Sequence, residues 1–192
     1  MESLSDLDRD IGLRIRTLRS GKSLTLDDLA TRSGVSRAML SRIERGQSSP
    51  TAQLLNRVCD GLGVTLSAMF AVAETPASPV SRRAAQPAWR DPGSGYFRRA
   101  VSPPGTGSAA EIVEVEFPAG ATVAFENQGL ADTDQQIWVL EGSMELVVGH
   151  AVHRLDAGDC LHMRFGEPIV FRNPTEQAAR YVVVLGRGRA RP

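Results

Sequence analysis

Two stretches of this 192-residue chain put chemically useful side chains at workable spacings. The first is Asp132, Asp134, Gln135 and Gln136, standing directly before the apolar run Ile137-Trp138-Val139-Leu140. Carboxylates and amides at the start of an apolar strand read as the rim of a binding pocket. Glu126, Asp132 and Asp134 are also candidate general bases, but nothing is spaced to pair with them as a second catalytic group. The second stretch carries Ser36, Arg37, Ala38, Ser41 and Arg42. These share one outward face if the segment is helical, and an arginine fork suits a phosphate or the paired acceptors of a base edge.

The remaining candidates are weaker. His150 and His153 flank a hairpin and a strand edge, and His162 lies mid-strand. Alternation points Leu161 and Met163 inward and His162 outward, beside Cys160 and Arg164, so a solvated or strand-packing role outweighs metal binding. Cys59 and Cys160 are too few and too far apart in sequence for a disulfide framework, which favours a reducing compartment.

The elements that must position these groups change character along the chain. Residues 1–72 show helical periodicity with clear punctuation. Ile11, Ile15 and Leu18 mark a first helix, about 8–20. Thr25 caps a second, 26–32, which stops at Ser33-Gly34. Ser36 caps a third, 37–45, which Gly46 stops. A fourth begins at Thr51 and runs to Leu62, and a short turn follows at 66–70. Residues 73–88 hold three prolines and no apolar periodicity, which predicts a linker. Over 89–192 the period falls to two. Strands are predicted at 95–101, 111–117, 121–126, 135–141, 143–148, 151–155, 159–165, 168–172 and 179–185, as in a barrel or sandwich. The fold class is therefore α + β in two domains.

Net charge is zero overall. The first 72 residues carry ten basic against eight acidic side chains, and residues 89–192 carry ten against thirteen. The bias only hints that the N-terminal part meets a polyanion. No apolar run approaches the roughly 18 residues of a membrane span, and the acidic start MESLSDLDRD is unlike a signal peptide. A cytoplasmic, membrane-free protein is the expectation.

The spacing of Ala30, Gly34, Val35, Leu40 and Ile43, with the outward face of the third helix, is the layout of a helix-turn-helix. The string "GVSRAMLSRIERG", the "SSPT" exit and the closing "LGVTLSAMF" resemble the phage-repressor-like (XRE-type) helix-turn-helix family over about residues 8–70. The resemblance implies that Arg37, Ala38, Ser41 and Arg42 face base edges. It places Ser36, Arg45, Gln47 and Ser49 near phosphates, together with the amino end of the second helix. Leu26 departs from the family, which often has a glutamine there. Arg19 and Glu44 match a structural pair. The implied partner is double-stranded DNA, read by a homodimer.

From Gly95 to Leu185 the strings "WVLEGSMELVV" and "HRLDAGDCLHMRFGEPIVFRNP" resemble a cupin, a double-stranded β-barrel. The family's metal-ligand positions fall on Gly129, Ala131, Gln135 and Ile169, so the resemblance implies a barrel without metal or cofactor. Its inward residues would be Gln135, Ile137, Val139, Met163, Ile169 and Phe171. They line either a pocket for a small-molecule effector or a self-filled core that serves dimerisation. Outward Trp138, Val170 and Tyr181 either form a subunit interface or pack on the second sheet or the linker. The expected function is transcription regulation without catalysis. The alternative is a cupin enzyme, an oxygenase, epoxidase or isomerase.

Overall fold

A computed structural model describes residues 4–70, 78–126, 133–164 and 166–187. Five helices come first: α1 (Leu4–Gly21), α2 (Leu26–Ser33), α3 (Arg37–Glu44), α4 (Ala52–Leu62) and α5 (Leu66–Phe70). The caps are those the sequence predicts. Thr25, Ser36 and Thr51 accept hydrogen bonds from Asp28, Met39 and Leu54, each satisfying a backbone donor that the helix leaves free. Gly34 and Gly63 close α2 and α4 in the left-handed conformation. Ile11, Ile15, Leu29, Leu40, Ile43 and Leu55 are buried between the helices.

Among the described residues ten strands follow: β1 (Ala88–Arg90), β2 (Phe97–Ala100), β3 (Ala110–Phe117), β4 (Thr122–Phe125), β5 (Thr133–Glu141), β6 (Ser143–Val148), β7 (Ala151–Asp156), β8 (Cys160–Arg164), β9 (Ile169–Arg172) and β10 (Ala179–Arg187). They form two antiparallel sheets, ordered β1-β2-β3-β10-β5-β8 and β4-β9-β6-β7. The inner faces carry Val113, Val115, Ile137, Val139, Leu146 and Phe171, all buried. Gly142, at φ 75°, makes the β5–β6 turn where a Cβ would lie 2.8 Å from the Ala178 carbonyl oxygen.

Three sequence expectations need correction. The segment read as linker over 73–88 is structured towards its end, with a 3₁₀ turn at Arg83–Ala85 and β1 beginning at Ala88; residues 73–77 lie outside the described ones. Strand β1 was missed because only three residues separate Pro87 from its end, too few for a period to register. Tyr181 is not outward. It is 3% exposed, and a register shift between Arg180 and Tyr181 sets it opposite inward-facing Val139, with Val115 on its other side.

The two domains share one apolar core. An unbroken run of neighbouring rings leads from Phe70 at the end of α5 through Trp89, Tyr96, Phe117 and Tyr181 to Phe171 and Phe125, with centroids 5.7–6.2 Å apart. Trp89, 2% exposed, sits where helical core and barrel core meet.

Candidate functional site

The outward face of α3 is built from beneath. Leu40 and Ile43 are fully buried, and Ser36 fixes the first turn. Arg19 of α1 donates two hydrogen bonds to the Glu44 carboxylate, at 2.6 and 2.9 Å, with both side chains largely buried. This bidentate tie locks the rotation of α3 about its axis. Gly12 sets the depth of the crossing: a Cβ there would lie 2.1 Å from the Ile43 carbonyl oxygen. Arg57 of α4 donates to the carbonyls of Ser33 and Gly34, bracing the turn between α2 and α3.

On that support Ser36, Arg37, Ala38 and Arg42 are exposed and Ser41 is half-buried. The Arg42 side chain has no hydrogen bond or ion pair among the described residues. Arg37 lies 3.2 Å from Asp27, and both are exposed; such a pair is worth roughly 0–1 kcal/mol and yields easily to a stronger anion. Arg45 donates to Gln47 at 2.9 Å and to Ser41, so these three share one network. Gln47 and Ser49 are exposed. At the amino end of α2, Thr25 and Asp28 form a reciprocal capping box, and Asp27 and Asp28 add two acidic side chains in the first turn. Hydrogen bonds from the Thr25 hydroxyl and backbone N–H hold the Asp28 carboxyl below its ordinary pKa.

Of the polar cluster on β5, only Gln135 faces inward and is buried. Asp134 lies on the outer face, 3.4 Å from His162 and 3.5 Å from Arg164. Gln136 is exposed, with Cys160 beside it at 3.8 Å. Asp132, Gly129 and Ala131 lie outside the described residues. At the two described positions where the cupin family holds metal ligands stand Gln135 and Ile169, a neutral amide and a hydrocarbon. A transition metal needs imidazole, carboxylate or thiolate donors, and among the described residues no group of three or more His, Cys, Asp or Glu is placed to bind one. The residues do not fit the family's metal.

A cavity of about 80 Å³ opens on the inner face. One water needs roughly 10–15 Å³, so the cavity takes a group of roughly five to eight heavy atoms. Gln135 and Phe171 line it; Ile137, Val139, Met163 and Ile169 are buried at inward positions but do not reach its wall. The cavity instead extends toward the helical domain. Val64, Thr65, Leu66 and Ser67 form one wall, with Val113, Val115, Val183 and Leu185 opposite.

Sequence reasoning missed the residues at this junction. Asp91, 3% exposed, accepts from the Ala52 backbone N–H at 2.8 Å, so a barrel residue caps α4. Its other oxygen accepts from Ser94. Arg98, 5% exposed, donates to the Ser67 hydroxyl at 3.0 Å and lies over the Phe70 ring at 5.1 Å. The Tyr96 phenol is pushed up to about 12 by burial, and burial raises the Cys59 thiol and the Tyr181 phenol too. All three stay neutral around Arg98. A signal existed: in "SGYFRRA" strict alternation places Arg98 on the same face as Tyr96.

Comparison with known proteins agrees with both halves. A family model described as a helix-turn-helix domain matches residues 10–69, and one described as a cupin domain matches residues 113–185. The HTH-type transcriptional regulator SutR of Escherichia coli is 24% identical over 179 residues, covering 93% of this chain and 95% of that protein. The uncharacterized HTH-type transcriptional regulator y4dJ of Sinorhizobium fredii is 37% identical over 60 residues, 31% of this chain and 78% of its own length. The crystal structure of an HTH_3 family transcriptional regulator from Vibrio cholerae superposes with TM-score 0.79 at 27% identity, covering 96% of this chain and 99% of that one. The chain belongs to the helix-turn-helix transcriptional regulators of the XRE type, with a cupin domain behind the helix-turn-helix.

Proposed function

We propose that this regulator binds DNA as a homodimer, with α3 in the major groove, and that its barrel takes a small effector without metal or catalysis. The observation that carries the reading is the α3 face. Arg37, Ala38 and Arg42 stand exposed on a helix whose opposite side is held by Ile43 and by the Arg19–Glu44 pair. One such helix reads a half-site, so two are needed, about 34 Å apart along the duplex. Arg37, Ala38, Ser41 and Arg42 then meet base edges, while Ser36, Arg45, Gln47 and Ser49 meet phosphates. Reading head and barrel divide at 1–72 and 89–192. We place the subunit contact on the outer face of the six-stranded sheet. There Trp138 and Ile112 are 49% and 40% exposed, with Val182 between Trp138 and Glu114 in the ladder. A regulator of this kind works beside the chromosome, in the cytoplasm.

The test pairs a gel shift on the DNA upstream of the chain's own gene with metal analysis of the purified protein. A sequence-specific complex without stoichiometric metal is expected. Stoichiometric iron, with no DNA binding at low salt, would establish the enzyme reading instead.

A further inference from the structure

We propose that the effector site lies between the reading head and the barrel, at Arg98, and takes a small monocarboxylate with an apolar body. The inference rests on the effector reading above and supplies its ligand class.

Arg98 is 95% shielded from solvent as part of the wall of the 80 Å³ cavity. One of its two terminal nitrogens, Nη1, is buried with no hydrogen-bond partner among the described residues. Its other contacts are a neutral hydroxyl, Ser67, and the face of Phe70, and it makes no ion pair there. A guanidinium is always charged. A buried cation left without an anion is costly, and so is a buried donor left without an acceptor. A carboxylate in the cavity removes both costs at once.

The rest of the lining narrows the ligand. Val113, Val115, Phe125, Phe171, Val183 and Leu185 make most of the barrel side of the wall apolar, which favours a hydrocarbon body over a strongly hydrated dianion such as phosphate. Gln135 remains for one further polar group.

The position explains how such a ligand acts. Its carboxylate is held by a β2 residue that also bonds Ser67 of α5, and its body touches both domains. It stabilises the docked head more than an undocked one, which is the differential affinity that any effector needs.

Thermal unfolding of the full chain is followed with isovalerate, its neutral isostere isovaleramide, and inorganic phosphate, with gel shifts in parallel. Isovalerate at ten times its Kd is expected to raise Tm saturably by about 3–6 °C. The amide and phosphate are expected to give no rise. Arg98→Met should abolish the response. Val183→Phe fills the wall while leaving Arg98 in place, and should abolish it too in a protein that still melts cooperatively. Equal shifts with amide and carboxylate, a shift with phosphate alone, or no shift at all overturns the proposal, and the last of these leaves the cavity holding water only. If DNA binding persists in that case, only this inference fails. If DNA binding is also absent, the regulator reading fails with it.

Discussion

At the residue scale the proposed mode of DNA binding divides the arginines of the reading head by task. Arg42, whose side chain has no protein partner among the described residues, would bond a base edge. Arg45, tied to Gln47 and Ser41, would sit beside the phosphate backbone. Arg42→Ala should cost about 1–3 kcal/mol of specific binding and relax preference at one base position. Arg45→Ala should weaken all sequences alike and lower the salt slope by about one. Anisotropy titrations of specific and scrambled duplexes at several salt concentrations separate the two. The capping box makes a second prediction. The Asp28 pKa is depressed in the fold, so its contribution is present above the unfolded value of 3.8 and is lost as pH falls through the lower folded value. Asp28→Asn should therefore destabilise the chain at pH 7, and the gap to the natural protein should narrow as pH falls below 3.8 in urea unfolding. These arginines were legible in the sequence because an outward face follows from spacing alone. Gly12 was not. Its importance lies in a helix crossing 31 residues away, at Ile43, and nothing local marks that approach. Gly12→Ala should cost about 1–3 kcal/mol by overpacking, read as a lower Tm.

At the element scale, caps and turns made most of the fold readable. Thr25, Ser36, Thr51, Gly34 and Gly63 punctuate the helices where the pattern predicts, and alternation found nine of the ten strands. What escaped were elements whose reason is tertiary. Strand β1 exists because Trp89 is buried at the domain junction and Ala88–Arg90 pairs with β2. The second cap of α4 comes from Asp91, 39 residues from its target. Asp91→Ala should cost about 1–2 kcal/mol. It should loosen the head from the barrel, seen as faster amide exchange at the start of α4, while the β3–β10 ladder keeps its protection.

For the molecule as a whole, the sequence divided the chain into two domains and a linker but could not see them joined. The shared aromatic run and the Arg98–Ser67 bond make head and barrel neighbours through their cores. Of the inward barrel residues expected to line a pocket, Gln135 and Phe171 line this cavity, whereas Ile137, Val139, Met163 and Ile169 are buried without lining it. The assembly makes its own prediction. Trp138→Glu should convert dimer to monomer in sedimentation velocity and lower operator affinity at least tenfold; an unchanged sedimentation coefficient would move the interface elsewhere.

The claim on which everything depends is that two copies of α3 enter successive major grooves of one duplex. Hydroxyl-radical footprinting of the full chain on its own upstream DNA tests it most directly. Two protected patches centred about 10 base pairs apart on one face of the helix are expected, both lost when Arg37 and Arg42 are changed to alanine in a protein that remains folded. A footprint that survives that double substitution, or protection with no sequence preference, would contradict it.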